Sequence, residues 1–484
     1  VKLSDAICYR AVLARDARYD GRFFTCVKTT GIYCRPICPA RPPKLENCRF
    51  VATAAAAQEA GFRPCLRCRP ESSPDLDAWR GTSSTVSRAL KLIDGGALDD
   101  GDVAALAERL EIGPRQLRRL FRMHLGAAPV TVAQTRRVLL ARQLIDQTNL
   151  SMIQIALASG FGSVRRFNET FQQLYRRPPG ELRRRRSAAT SPQLSLLLPY
   201  RSPYDWDAML RFLSRRAIGG LELVTPDSYS RVIELGNTRG TIQLSHAPQA
   251  SSLRVVVRFP QLSAVPTIIA RLRRMFDLGA EPAAIAAVLS ADPMLAPLVA
   301  QRPGLRVPGG WDPFEIAVRA VLGQQISVKA ATRLATRLVE RLGDSIDEDP
   351  EAPGLTRAFP QPQRLTAAAL SGIGLTRARA AALAELARAA RKDTRLFDPC
   401  RDLDQAIERL RRLNGVGEWT ASYIAMRALG ESDAFPAGDA ALPRDLASRA
   451  QAWRPWRAYG VMHLWTAGAA TTTSSKEKPH AIAT

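Results

Sequence analysis
At 484 residues the chain has room for three or four domains of about 100–200 residues, and an apolar fraction of 46% supplies ordinary cores. Lys and Arg total 69 against 45 Asp and Glu, a formal charge of +24, which favours a polyanion partner because each phosphate contact releases counterions. No stretch approaches the roughly 18 apolar residues of a membrane span, and Val1 to Arg10 lacks the apolar region of a signal peptide, so a cytoplasmic, nucleoid-associated location is expected.

Residues 1–75 form the first expected domain. Seven of the eight cysteines fall before Glu71. In a reducing compartment such a cluster points to a metal or to reactive thiols rather than to disulfides. Helical periodicity appears only over Thr53–Ala60. The spacings Cys34-x3-Cys38 and Cys65-x2-Cys68 suit one tetrahedral Zn2+ held by four thiolates. Cys8, Cys26 and Cys48 lack a paired spacing and read as buried or free thiols. On spacing alone a purely structural zinc knuckle is the favoured reading, because most such sites are structural.

The segments Thr29-Thr30-Gly31-Ile32-Tyr33-Cys34-Arg35-Pro36-Ile37-Cys38 and Ala60-Gly61-Phe62-Arg63-Pro64-Cys65-Leu66-Arg67-Cys68 resemble the N-terminal domain of the Ada alkylation-response family. The resemblance implies that Cys34 takes a methyl group from a DNA methylphosphotriester and then stays on the metal as a thioether. Four thiolates around Zn2+ leave a net negative charge, so a bound sulfur stays ionised and nucleophilic near neutrality. Methylation removes one negative charge, which lowers repulsion from phosphates and predicts tighter DNA binding. Arg35, Arg41, Arg63 and Arg67 are candidates for holding the DNA backbone; the plain alternative is solvated arginine.

Residues 80–186 read as helices throughout, with 84–186 as the second expected domain. Val103, Leu106 and Leu110 share a face, Glu111-Ile112-Gly113 suits a turn, and Pro114 suits the first position of a helix whose core face is Leu117, Leu120 and Phe121. A second copy runs from Ile153, Ile155, Ala156 and Ala158 through Ser159-Gly160-Phe161-Gly162 to a helix capped by Ser163. A plain helical bundle with a charged face would give the same pattern. The stretch Ser159-Gly160-Phe161-Gly162-Ser163-Val164-Arg165-Arg166-Phe167-Asn168 through Arg176-Arg177-Pro178-Pro179 resembles the AraC-type DNA-binding domain. That implies two recognition helices in successive major-groove segments, with Arg115, Gln116, Arg119, Arg165, Arg166 and Asn168 reading the DNA. The run Arg183-Arg184-Arg185-Arg186 and the stretch to Pro192 read as a linker.

Residues 194–276 change character. Leu194–Leu198, Val232–Leu235, Thr241–Leu244 and Leu253–Phe259 are β-prone, and Tyr204–Arg216 and Val265–Phe276 are helical, an α+β unit. Residues 277–470 are helical again, with a loop over Gly343–Gln363, and 471–484 read as a disordered tail. A helix from Leu403 to Arg412 ends at Leu413-Asn414-Gly415-Val416-Gly417, and another starts near Glu418. Gly415 and Gly417 allow a hairpin whose amides meet a phosphate, though a simple tight turn fits as well.

Gly323-Gln324-Gln325-Ile326-Ser327, the hairpin, Ala434-Phe435-Pro436-Ala437-Gly438-Asp439, Trp453-Arg454-Pro455-Trp456-Arg457 and His463-Leu464-Trp465 together resemble the AlkA-type 3-methyladenine DNA glycosylases. The resemblance implies a TATA-binding-protein-like fold for 194–276 and Asp439 as the catalytic carboxylate, with Asp433 and Asp445 as nearby alternatives. It places Trp419, Tyr423 and Trp465 in an aromatic pocket and Gly415 and Gly417 on the DNA backbone. Gln325 stands where the best-known member has a wedging leucine, which puts that role in doubt and makes the neighbouring Ile326 a candidate to share it. A monovalent cation on the hairpin carbonyls is a further implied ligand. No Lys stands between Gly415 and Trp419 to form a Schiff base, so a monofunctional enzyme is expected. Pro399-Cys400-Arg401 lacks a His to activate the thiol and reads as structural.

The expected architecture is multidomain and predominantly α. It comprises a small zinc-bound α+β domain, an AraC-type double helix-turn-helix, a TATA-binding-protein-like α+β domain and an all-α helix-hairpin-helix glycosylase domain. The expected partners are double-stranded DNA and RNA polymerase, and the expected state is a monomer, because two reading heads in one chain replace a dimer's pair. The competing readings are a transcription regulator with a degenerate glycosylase domain and a zinc DNA-binding protein without methyl transfer.

Overall fold
The computed structural model describes residues 3–74, 84–99, 101–183, 194–347, 349–400, 402–443 and 445–474. The linker from Arg184 to Pro192, Arg401 and the tail beyond Ser474 lie outside the described residues. Two compact units divide the chain: 1–200 with 235–273 and 399–401, and 201–234 with 274–398 and 402–484.

The first unit opens on helix α1 (Asp5–Ala14), absent from the sequence reading; Ser4 caps it and Cys8, Ala11 and Val12 bury its inner face. Strands β1 (Phe24–Val27), β2 (Ile32–Cys34), β3 (Cys48–Val51) and β4 (Arg63–Pro64) form a sheet in the order β3-β1-β2-β4, with helix α2 (Ala54–Glu59) between β3 and β4. Helices α3 (Ser84–Asp94), α4 (Val103–Arg109), α5 (Pro114–Leu125), α6 (Pro129–Gln147), α7 (Met152–Ala158) and α8 (Val164–Tyr175) follow. α5 starts on Pro114 and stops at Gly126, whose φ of +72° ends the helix in a left-handed residue. α8 starts where Ser163 Oγ accepts from Arg166 N at 3.1 Å. Leu117, Phe121 and Leu125 on α5, and Phe167, Phe171 and Tyr175 on α8, are buried at helical spacing.

α6 is the spine of this part. Thr135 Oγ1 donates to Gln58 Oε1 on α2 at 3.0 Å, and Gln58 Nε2 donates to Tyr33 Oη on β2 at 3.0 Å. Arg142 and Asp146 on α6 are buried with Glu71, and Asp146 also pairs with Arg69 at 2.8 Å. The unit is completed by β5 (Leu194–Pro199), which pairs antiparallel with the later strand Ser252–Arg258.

The second unit begins with helix α9 (Trp206–Ser214) and the antiparallel pair β6 (Glu222–Val224) and β7 (Ser228–Leu235), of which β6 was too short to be read from sequence. Back in the first unit, β8 (Thr238–Ala247) pairs with β9 (Ser252–Arg258), and helix α10 (Val265–Met275) follows. The second unit then runs through α11 (Pro282–Leu289), α12 (Ala296–Gln301), α13 (Pro313–Leu322), α14 (Val328–Leu342), α15 (Ala367–Leu370), α16 (Arg377–Lys392), α17 (Leu403–Arg411), α18 (Glu418–Arg427), α19 (Leu446–Arg449) and α20 (Arg457–Ser474). α20 continues to Ser474, so residues 471–474 are helical where a tail was expected: helix propagation adds a backbone bond per residue even through threonines. The buried network Arg231–Glu315–Arg319–Glu222 pins the end of α9, because Arg319 Nη1 also donates to Arg216 O at 2.8 Å.

Candidate zinc centre, reading heads and base pocket
The zinc-ligand geometry follows from strand register. β2 pairs parallel with β4 through Ile32↔Arg63 and Tyr33↔Pro64, so the next residues, Cys34 and Cys65, lie side by side. The turn after β2, closed by Cys38 N–H to Arg35 O at 3.1 Å, brings back Cys38, and the turn after β4 brings back Cys68. All four sulfurs lie within 4.8 Å of one another. Hydrogen bonding to its three partner sulfurs, together with burial, holds the Cys34 thiol far above its usual value. Hydrogen bonds from the other three push Cys65 far below its own. Such a cluster cannot ionise fully without a cation at its centre, and a tetrahedral divalent ion removes the conflict. Arg35 N–H reaches Cys68 Sγ at 3.3 Å and Arg67 N–H reaches Cys65 Sγ at 3.4 Å, donors that suit thiolates.

Cys34 and Cys38 open onto a concave surface shared with Thr30, Arg41, Arg63 and Arg67. Arg41 and Arg67 are exposed and Arg63 is half-buried. Arg35 departs from expectation. Its side chain is 11% exposed and turned inward: it pairs with Asp20 and donates to Cys68 O at 3.1 Å. A guanidinium with five donors is best satisfied by a buried carboxylate and carbonyls, so Arg35 braces the ligand loop instead of facing DNA. Cys8, Cys26 and Cys48 are free and buried, and burial raises Cys8 to about 11 and Cys26 to about 12, which makes them poor nucleophiles. Cys400 is also buried.

In the reading heads Arg115, Gln116 and Arg119 on α5, and Arg165, Arg166 and Asn168 on α8, are all exposed. Arg165 lies 2.8 Å from Glu169, an exposed pair that is cheap to break.

The candidate base pocket is assembled by α18, α20 and the segment before α19. The hairpin 413–417 joins α17 to α18. Gly415 has φ +82°, and a Cβ there would sit 2.4 Å from Ala382 Cβ, so only glycine fits. Val416 plugs the core while Gly417 faces open space. In the first turn of α18, Trp419 stacks on Tyr423 one turn further along at 5.3 Å, and Tyr423 lies 6.1 Å from Trp465 on α20. Asp439 sits between them. Trp419 Nε1 donates to Asp439 Oδ2 at 2.9 Å, and Trp465 Nε1 donates to Oδ1 at 3.1 Å. Ala441 N–H adds a third donor at 2.9 Å. Of the two other carboxylates, Asp433 pairs with Arg454 and Arg457, and Asp445 is exposed at the start of α19.

Three wall residues escaped the sequence reading. Arg427 donates to Tyr423 Oη at 2.7 Å, and Arg427 and Arg216 lie 4.6 and 3.8 Å over the Phe212 ring. Desolvation raises the Tyr423 phenol, but Arg427 and Arg216 outweigh it and hold the group below its usual value. No local motif marks these residues; only the tertiary packing brings α9 to α18. Gln325 is exposed in the loop between α13 and α14 with φ +57°. Of the hairpin carbonyls proposed for a cation, Gly415 O already accepts from Gln324 Nε2 at 2.8 Å.

A four-sulfur cluster, paired reading helices and a hairpin glycosylase pocket define a multidomain DNA repair and regulatory class of protein. Family models agree along the chain: the metal binding domain of Ada matches 7–71, a helix-turn-helix domain 106–185, the AlkA N-terminal domain 195–312, and the HhH-GPD superfamily of base excision DNA repair proteins 318–462. A probable bifunctional transcriptional activator/DNA repair enzyme AlkA of Mycobacterium tuberculosis is 40% identical over 477 residues, covering 95% of each chain. DNA-3-methyladenine glycosylase 2 of Escherichia coli is 35% identical over 279 residues, 55% of this chain and 95% of that one. The bifunctional transcriptional activator/DNA repair enzyme Ada of Escherichia coli is 33% identical over 171 residues, 35% of this chain and 47% of that one. The chain belongs to the family of bifunctional Ada/AlkA-type transcriptional activator and DNA repair proteins. The four-cysteine cluster is its zinc site, and double-stranded DNA is its partner. Among the described residues no helix is long and apolar enough to cross a membrane.

Proposed function
We propose that the chain excises alkylated purines of the 3-methyladenine type as a monofunctional glycosylase and controls alkylation-response genes through methylation of Cys34. The observation that carries the repair half is Asp439, whose two oxygens are fixed by the indoles of Trp419 and Trp465 beside a stacked aromatic wall. A flipped cationic purine is drawn to electron-rich ring faces, and its weakened stacking lowers the cost of flipping. As the glycosidic bond breaks, its electron pair leaves with the base and quenches the base's charge. The positive charge that builds on the sugar meets the Asp439 carboxylate, and water then adds at the same carbon. The hairpin between α17 and α18 carries no lysine that could capture that carbon.

Cys34 is the acceptor in the regulatory half. Its sulfur forms a bond to the methyl carbon of a phosphotriester, the carbon–oxygen bond breaks, and a phosphodiester anion leaves. Incubation with a duplex bearing one methylphosphotriester is expected to add the mass of one methylene to the Cys34 peptide. Cys34→Ser should add none. A methylene found on another cysteine would overturn the assignment.

The domain division that fits this work is 1–75, 84–186, 194–276 and 277–470, in a cytoplasmic monomer that engages RNA polymerase at its promoters. Arg166→Ala is expected to weaken operator binding by about 1–3 kcal/mol and random-sequence binding much less. A uniform loss over all sequences in a gel-shift series would make Arg166 a phosphate contact.

A further inference from the structure
The loop between α13 and α14 presents Gln325 at φ +57°, a left-handed conformation that non-glycine residues keep only when neighbours hold it. Its side chain is exposed and has no hydrogen-bond partner among the described residues. The preceding residue supplies the hold. Gln324 Nε2 donates to Gly415 O at 2.8 Å and to Thr420 Oγ1 at 3.0 Å. Its main-chain oxygen accepts from Arg379 Nη2 on α16 at 2.6 Å. Both hydrogens of one side-chain amide are therefore committed, one to the hairpin and one to the first turn of α18.

The partners are themselves fixed. Gly415 is wedged against Ala382 of α16, where a Cβ would come within 2.4 Å. Thr420 is buried and directly follows Trp419, whose indole holds Asp439. The loop, the hairpin and α16 thus cannot shift independently without breaking a bond at Gln324. One side chain stands between the segment that faces the DNA backbone and the strained residue that points into solvent.

We propose that Gln324 is a positioning residue that couples the grip of the hairpin on a phosphate to the insertion of Gln325 into the duplex. The inference rests on the glycosylase reading above. Gripping and opening then occur as one step: when hairpin amides seat on the backbone, Gln325 is already aimed at the gap the base leaves.

The test uses the full chain with Gln324→Met, which keeps length and removes both donors, and Thr420→Val, which removes one acceptor. The probe is a duplex with a methylated purine, or a tetrahydrofuran abasic analogue, next to 2-aminopurine. Gln324→Met is expected to bind the abasic duplex within about threefold of wild type. It should lose most of the 2-aminopurine unstacking signal and excise about 10–100-fold more slowly. Thr420→Val should show a smaller loss of the same kind, and the double variant should be no worse than Gln324→Met. Should Gln324→Met melt early, Thr420→Val, which keeps Gln324, carries the comparison alone. Wild-type unstacking and excision in both variants would overturn the coupling, as would affinity falling in step with excision, which marks a residue that only supports the hairpin. Wild type that unstacks the probe yet releases no base sinks the glycosylase reading and leaves the coupling standing.

Discussion
Asp439→Asn is expected to slow single-turnover base release by about 100–1000-fold, the scale on which a preorganised charge opposite a developing one contributes. The substitution keeps the shape of the side chain. One of its two positions still accepts an indole hydrogen, while the amide nitrogen turns an N–H toward the other indole donor, now at 2.9 or 3.1 Å. The variant therefore loses the negative charge and also sets two donors against each other. Affinity for an abasic duplex should change far less, because the hairpin and the wall of Trp419, Tyr423 and Trp465 remain in place. Rapid-quench kinetics with saturating enzyme separates the two effects. A loss confined to affinity would make Asp439 a binding residue rather than the group facing the sugar cation.

Zinc removal is the second large effect. Structural zinc contributes on the order of 10 kcal/mol to small domains of this kind, and the four-stranded sheet before Ser73 has a modest core of its own. Cys38→Ser, or a strong chelator, is expected to abolish stoichiometric zinc and disorder the segment from β2 to Cys68. Methyl transfer should disappear with it. Base release should persist, because Asp439, Trp419, Tyr423 and Trp465 all belong to the second compact unit. Metal content and base release measured on the same preparation decide this. Parallel loss of both would mean that the zinc domain is needed to fold or load the glycosylase.

The chemistry was far more legible than the packing. Cys34, Cys38, Cys65 and Cys68 could be grouped from spacing because tetrahedral coordination restricts how close pairs fall, and the parallel register of β2 on β4 is what makes that spacing work. Both helix-turn-helix copies were legible because Pro114 and Ser163 mark helix starts, the turns Glu111-Ile112-Gly113 and Ser159-Gly160-Phe161-Gly162 precede them, and apolar residues such as Leu117, Leu120 and Phe121 repeat at helical period. Helix α1 was not, since its buried face is only Cys8, Ala11 and Val12, too small to signal amphipathicity. Arg35 shows the limit for charges. A solvated arginine and one locked on Asp20 look alike in a sequence, and only the fold decides. Arg216, Arg427 and Phe212 meet across elements far apart in the chain, so no local pattern carries them. The strain at Gln325 was likewise invisible, because nothing in Gly323-Gln324-Gln325 demands a positive φ until Gln324 reaches the hairpin.

Release of free base from a duplex carrying methylated purines tests the central claim most directly. The 484-residue chain is expected to liberate the methylated purine and leave an abasic site in an unbroken strand. Protein that is folded, binds the duplex and carries zinc, yet releases no base, would contradict the account and leave a regulator that keeps its glycosylase domain for DNA binding.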